Sequence, residues 1–163
     1  MKKSILLSLL VMSTVTGFAQ LKTTPVCGVF EVNVLKGSVN DVMPNFTAAE
    51  IKKKLPCFTS EEPEGKDSKC NGAVFYKDRD VSFYTFRDYI VIGPAFKGRT
   101  NMPVIGTKRN SLFNKLGNPQ LKDPKWDAYQ TQYGCLILYY DAQNKVNRII
   151  MSTKGTDEID LCQ

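Results

Sequence analysis

Seven short segments of the sequence have the residue pattern of β-strands, and turn-forming residues lie between them. They combine β-branched and aromatic residues with alternation of apolar and polar positions, which is typical of sheets that are covered on one face. The segments are Gly28–Leu35, Ala73–Tyr76, Val81–Phe86, Tyr89–Ile92, Trp126–Tyr129, Leu136–Tyr140 and Val146–Ser152. Because most of the connections are short, neighbouring strands are expected to pair antiparallel.

A helix is predicted before each group of strands. The first has Thr47 as its N-cap and Glu50 three residues later, the pattern of a capping box. The second is expected to begin at a Thr107 cap, to carry Leu112 on its apolar face, and to end at Gly117. The predicted fold class is α+β in two layers, with short helices packed on an antiparallel β-sheet.

The order of helix and strands occurs twice along the chain. Residues 26–96 and 102–163 can be aligned as two helix-plus-meander units, joined by a stretch rich in glycine and proline at residues 93–103. A tandem duplication would produce such a period. A chance similarity between two short units is the alternative, and both remain open at this point.

The first nineteen residues have the three parts of a Sec-type export signal. A basic start and an apolar run are followed by the small residues Gly17 and Ala19, so cleavage is expected before Gln20. A lipoprotein would need a cysteine directly after the apolar run, whereas Cys27 lies well downstream. Residues 20–163 are therefore predicted to form a single mature domain, periplasmic or secreted, with no lipid anchor and no membrane span.

Five cysteines follow the predicted signal. In an exported chain they are first of all disulfide candidates. Cys57 and Cys70 bracket a polar loop and are the first predicted pair, while Cys27 and Cys162 lie near the two mature termini and are the second. This leaves Cys135 as a buried thiol in an apolar strand, with a Cys135–Cys162 bond as the alternative.

The sequence contains no histidine. This removes the commonest general base and the usual partner of serine and cysteine nucleophiles. With no CxxC spacing and no phosphate-binding glycine loop, no catalytic residue, metal ligand or cofactor is predicted. The net charge of +6 comes from scattered lysines, which does not favour nucleic acid as a partner. An enzyme based on carboxylates or a thiolate remains an alternative.

Aromatic side chains are the candidates for binding a protein partner. Helices can cover only one face of a sheet, so large side chains on the other face must meet solvent or a partner. Tyrosine and tryptophan are tolerated on partly solvent-exposed surfaces, and they dominate binding hot spots. The candidates are Tyr76, Tyr84, Trp126, Tyr129, Tyr133 and Tyr140.

Residues between Ile105 and Met151 carry a family resemblance. They are Ile105–Thr107, Leu112, Leu116–Pro119, Trp126, Tyr129, Leu136–Asp141 and Lys145–Val146. This pattern resembles the BamE/SmpA outer-membrane assembly proteins and, more widely, the β-lactamase inhibitor protein fold of tandem helix-plus-sheet units. The resemblance implies a two-layer module whose sheet binds another protein without catalysis. The chain departs from the BamE type in lacking a lipidation site and, if the duplication is real, in having two units.

These observations together predict a non-enzymatic, periplasmic protein-binding domain. The most concrete version is an immunity or inhibitor protein that neutralises a toxin or an enzyme. One alternative is a role in outer-membrane assembly, and another is a ligand carrier with an apolar cavity between sheet and helices.

Overall fold

The structure is a computed structural model that describes residues 25–65 and 70–162. The predicted signal, residues 1–19, lies outside the described residues. The elements in chain order are β1 (Phe30–Asn33), β2 (Ser38–Val39), α1 (Ala48–Lys54), β3 (Ser60–Glu62), β4 (Ala73–Tyr76), β5 (Val81–Tyr84), β6 (Tyr89–Ile92), β7 (Gly98–Thr100), α2 (Phe113–Leu116), β8 (Leu121–Lys122), β9 (Trp126–Thr131), β10 (Gly134–Tyr140) and β11 (Val146–Ser152). None of the helices in these ranges is long and apolar enough to cross a membrane.

Eight strands form one large antiparallel sheet. Their order across the sheet is β3-β4-β5-β6-β11-β10-β9-β8, so two four-stranded meanders meet where β6 pairs with β11. A short helix precedes each meander in the chain, α1 before β3 and α2 before β8. The fold is therefore α+β and dominated by sheet, and the two halves of the large sheet have the same order of elements.

A second, smaller sheet has the order β2-β1-β7. The sequence predicted β1, whereas β7 falls in the stretch at residues 93–103 that was expected to be a linker only. β7 runs parallel to β1, with Phe30 opposite Gly98. Asn101 extends this connection, because its backbone N–H donates to the Val32 carbonyl at 3.0 Å and its side-chain oxygen accepts from the Val34 N–H at 2.9 Å. Such long-range pairing leaves no local sequence pattern.

The first helix begins as predicted. Thr47 and Glu50 form a capping box: the Thr47 Oγ1 accepts from the Glu50 N–H at 3.3 Å, and the Glu50 Oε2 accepts from the Thr47 N–H at 2.9 Å. Hydrogen bonds from Thr47 lower the pKa of Glu50. The helix buries Ile51 completely, and the Tyr76 hydroxyl of β4 donates to the Leu55 carbonyl at 2.7 Å, which fixes α1 to the large sheet.

The second helix differs from its prediction. Thr107 does not cap it, because its hydroxyl donates to the Pro103 carbonyl at 2.9 Å. The Thr107 carbonyl accepts from the Val146 N–H at 3.0 Å, which ties this residue to the start of β11. The chain then forms a 3₁₀ turn at Arg109–Ser111 and only the four residues of α2, which end, as predicted, at Gly117 with φ +74°.

One hydrophobic core lies between one face of the large sheet and the elements that cover it. We call this the inner face. It combines side chains of the sheet with Ile51 of α1, Phe30 of β1 and Leu112. Tyr76 is the centre of an aromatic group, with edge-to-face contacts to Phe30 at 5.1 Å and to Phe83 at 5.7 Å between ring centroids. Each such fully buried large side chain contributes roughly 1.5–3 kcal/mol to stability.

The disulfides pair differently from the prediction. Cys27 bonds to Cys57 and Cys70 bonds to Cys162, so both expected pairs and the Cys135–Cys162 alternative are wrong. Cys135 is a buried free thiol, as predicted. The physical reason is position: Cys27 and Cys57 both pack against the inner-face core, whereas Cys162 packs on the opposite face of the sheet. Spacing along the chain does not reveal this separation.

Candidate functional site

The large sheet has a second face, opposite the inner face, which we call the outer face. Because side chains alternate between the two faces, one row of outer-face residues can be followed across all eight strands. The row is Ser60, Phe75, Ser82, Val91, Ile150, Ile137, Ala128 and Leu121. Its centre is apolar and buried, with Ile137 at 5% and Ile150 at 4% exposure, although neither α1 nor β1 lies on this side.

Two of the six predicted binding residues lie on the outer face. They are Tyr84 and Trp126, and both are half-buried. Tyr76, Tyr129 and Tyr140 belong to the inner-face core and are 0%, 5% and 8% exposed. These three are not available to a partner, so the expectation is wrong for them.

The sixth predicted residue, Tyr133, is half-buried against the inner-face core. Its ring lies on Gly37, where an added Cβ would be 2.5 Å from the ring. Burial raises the pKa of Tyr133. Its place is beneath the loop between β1 and β2, and the structure does not bring it together with Tyr84 or Trp126.

Tyr140 belongs to a polar cluster with Asp127 and Arg109. The Tyr140 hydroxyl donates to Asp127 at 2.7 Å, and Asp127 also accepts from Arg109 at 3.0 and 2.5 Å. The Arg109 guanidinium lies 4.8 Å from the centroid of the Tyr140 ring. Burial, and the hydrogen bond to Asp127, raise the pKa of Tyr140. The cluster attaches the 3₁₀ turn to the sheet.

Four outer-face residues were missed by the sequence prediction. Tyr89 stacks on Tyr84 with 4.5 Å between ring centroids, and Phe75 meets Tyr84 edge-on at 6.1 Å. Arg148 is exposed and lies 5.6 Å from the centroid of the Tyr139 ring. Strand periodicity could have found them. Side chains alternate between the two faces along a strand, and in the paired register each of these residues falls on the same face as Tyr84 or Trp126.

The end of the described chain crosses the outer face. We call residues 155–162 the C-terminal strap. The buried apolar group at the centre of this face is the outer-face cluster, and its members are Tyr89, Ala128, Cys135, Ile137 and Ile150. Ile159 and Leu161 pack on this cluster, and Asp160 forms an ion pair with Arg87. The strap is held at its end by the Cys70–Cys162 disulfide.

Two clefts lie beside the strap on the outer face. The larger, which we call the outer cleft, has a volume of about 500 Å³. It is lined by Asp80, Tyr84, Tyr89, Val91, Gly93, Pro94, Tyr139, Arg148, Ile150, Leu161 and Cys162. The smaller has about 350 Å³ and includes Trp126, Leu121 and Ile159. Tyr139 and Leu161 line both, so the two clefts are neighbours.

A further cleft of about 600 Å³ lies beside α2. Its apolar part includes Phe113, which is 57% exposed, and its cationic part includes Lys108 and Lys122. The carboxylate at its base, Asp127, is already paired with Arg109. This cleft therefore offers an apolar and positively charged surface.

Two buried titratable side chains of the outer face have raised pKa values. Burial raises the pKa of Cys135 to about 11, so this thiol stays protonated at neutral pH. Burial likewise raises the pKa of Tyr89 to about 12. Within residues 25–65 and 70–162, no three histidine, cysteine or carboxylate side chains are grouped so that they could hold a metal ion.

The fold and the site define an α+β protein with a dominant antiparallel sheet, two disulfides and an aromatic outer face. No protein-family model, no curated protein and no solved structure matches this chain.

Proposed function

We propose that this chain is a non-enzymatic protein-binding domain that docks its partner on the outer face of the large sheet. The observation that carries the proposal is the composition of that face. Tyr84, Tyr139 and Trp126 are half-buried there, and Arg148 is exposed beside them. Tyrosine, tryptophan and arginine are the residue types enriched in binding hot spots.

The scaffold is suited to this role. In a two-layer arrangement, α1 and the small sheet cover the inner face, so the part of the outer face beside the C-terminal strap is left for a partner. The Cys27–Cys57 and Cys70–Cys162 bonds constrain the two ends of the described chain. A rigid face loses little conformational entropy on binding. Two helix-plus-meander halves joined at β6 and β11 are also what the resemblance to the β-lactamase inhibitor protein fold implies.

The proposed compartment is the periplasm or the exterior of the cell. Two disulfides fit an oxidising environment, and the predicted signal at residues 1–19 would deliver the chain there. An immunity or inhibitor protein is the most concrete version of the proposal, because an aromatic sheet face can cover the active site of a toxin or an enzyme. The absence of histidine and the high pKa of Cys135 support binding rather than catalysis.

The test is affinity capture from an envelope extract with matched variants. Tagged protein with both disulfides intact should recover one partner in stoichiometric amount. Tyr139→Ala and Arg148→Glu should each reduce recovery at least about tenfold, as for hot-spot residues. Arg99→Glu is the control, because Arg99 is exposed on β7 of the small sheet.

The identity of the captured protein separates the versions of the proposal. A secreted toxin or an enzyme whose activity falls on binding supports the inhibitor role. Recovery of outer-membrane assembly components alone would replace it with an assembly role. Equal recovery by the Tyr139→Ala, Arg148→Glu and Arg99→Glu variants would show that the outer face is not the docking surface.

A further inference from the structure

The C-terminal strap shows how a chain segment binds to the outer face. Ile159 and Leu161 pack on the outer-face cluster, while Asp160 between them pairs with Arg87. Side chains at positions i and i+2 thus point to the sheet and the intervening side chain points away, as in an extended segment. The strap is held covalently by the Cys70–Cys162 bond, and its Cys162 N–H donates to the Tyr89 hydroxyl at 2.8 Å. Its non-covalent side-chain contacts with the outer face include two aliphatic side chains and one carboxylate on an arginine.

A second arginine lies on the same face. Arg148 extends from β11 over the Tyr139 ring, and it is exposed. Among the residues that the structure describes, no carboxylate lies within ion-pair distance of it. Asp80, the carboxylate of the outer cleft, accepts from the Ala95 N–H at 2.7 Å. Arg148 is therefore the cationic group that the cleft offers to a partner.

The outer cleft beside Arg148 has apolar walls. Val91 and Ile150 form part of its lining on the sheet, and Leu161 of the strap and Pro94 line it from outside the sheet. Its volume of about 500 Å³ lies in the range of sites that bury a small ligand or a few side chains. A segment bound there would lie beside the strap and meet a surface of the same composition.

We infer that the partner enters the outer cleft with an extended segment in which an acidic residue lies between two aliphatic residues, and that this carboxylate pairs with Arg148. The inference rests on the proposed function and names the chemistry of the partner. A guanidinium held against an aromatic ring is already oriented, so it can take a carboxylate in two parallel hydrogen bonds at a small entropic cost. The strap forms a carboxylate–guanidinium pair inside the chain, in which one nitrogen of Arg87 contacts one carboxylate oxygen of Asp160.

The experiment uses synthetic peptides and the mature protein with both disulfides intact. Capped heptapeptides carry Ile-Asp-Leu, Ile-Asn-Leu, Ile-Lys-Leu or Ser-Asp-Ser at their centre, with the same flanking residues. Trp126 is the only tryptophan of the sequence; it lines the neighbouring smaller cleft and pairs in register with Tyr139, which lines the outer cleft, so its fluorescence is the probe of binding beside it. Titration extends to millimolar peptide.

The Ile-Asp-Leu peptide should bind at least tenfold more tightly than the other three. Arg148→Glu should reverse the preference, so that the Ile-Lys-Leu peptide binds best, whereas Arg99→Glu should leave it unchanged. Arg148→Gln should remove the preference for charge. Cooperative thermal unfolding checks that each variant is folded. Equal binding of the Asp and Lys peptides, or no binding by any peptide, would overturn the inference.

These outcomes are distinct from failure of the proposed function. If capture from the envelope extract depends on Tyr139 while the peptides show no charge preference, the inference is wrong and the proposed function stands. If the peptides bind as expected and no partner is captured, the chemistry of the cleft is supported and the proposed role in protein binding is contradicted.

Discussion

Arg109 and Asp127 form a two-point ion pair between the 3₁₀ turn and β9. The Arg109 Nε lies 3.0 Å from the Asp127 Oδ2, and the second contact, from a terminal guanidinium nitrogen to Oδ1, is 2.5 Å. Asp127 is only 3% exposed, and Tyr140 donates a third hydrogen bond to it. Arg109 also donates to the Asp123 carbonyl at 2.8 Å. The pair holds the segment before α2 against the sheet.

Asp127→Ala should therefore destabilise the protein strongly. It removes three hydrogen bonds and leaves the Tyr140 hydroxyl buried without its acceptor, which should lower the free energy of unfolding by roughly 2–4 kcal/mol. Urea denaturation measures the change. Glu31→Ala, at an exposed position on β1, is the control and should change stability by less than about 0.5 kcal/mol. A loss below about 1 kcal/mol for Asp127→Ala would mean that the pair is structurally unimportant.

Both disulfides should be recovered by peptide mapping under non-reducing conditions. The Cys27–Cys57 bond closes 30 residues and the Cys70–Cys162 bond closes 92. On the chain-entropy model these loops stabilise by roughly 3.5 and 4.5 kcal/mol, so the double serine variant of either pair should lose a few kcal/mol of stability. A Cys57–Cys70 or Cys27–Cys162 peptide would contradict the pairing.

Cys135 should be inert in the folded protein. Its thiol is fully buried, and burial raises its pKa to about 11, so both access and thiolate formation are suppressed. With both disulfides intact, iodoacetamide at pH 8 should label no thiol in the native state and one in urea. Cys135→Ala should label in neither condition. Rapid labelling of native protein would show that the strap and the sheet open readily at this position.

Stability should decline at alkaline pH through Tyr89. Its pKa is raised by burial from an ordinary value near 10 to about 12, so the unfolded chain loses this proton first. The contribution of the protonated Tyr89 hydroxyl to the free energy of unfolding is complete below pH 10 and is lost as the pH rises from 10 to 12. Tyr89→Phe should have a shallower decline over that range than the wild type, measured by denaturation at each pH. If stability declined with pH equally steeply in Tyr89→Phe and in the wild type, the decline would come from a group other than Tyr89.

Local features of the fold could be predicted from the sequence. The Thr47 capping box and the end of the second helix at Gly117 depend on contacts within a few residues. The bounds predicted for β4, β6 and β11 agree with the structure, because these strands have clear apolar patterns and flanking turns. Periodicity and capping are properties of neighbouring residues, so they can be read without knowing the rest of the fold.

The outer face was predicted only in part. Of the residues predicted to bind a partner, Tyr84 and Trp126 lie on the outer face, whereas the side chains of Tyr129 and Tyr140 point to the inner face and are buried. An aromatic residue in a strand is equally compatible with either face. Which face is covered depends on where α1 and the small sheet pack, and this is decided by contacts between distant parts of the chain.

The sequence by itself determined seven of the eleven strands in the described residues, the first helix and the availability of five cysteines for bonding. The tertiary structure decided which cysteines meet, since Cys162 reaches Cys70 only after the strap has crossed the outer face. It also placed Arg148 over Tyr139 through the pairing of β10 with β11. The physical reason is that local patterns depend on residues a few positions apart, whereas the site is assembled by strand register and strap packing over long separations.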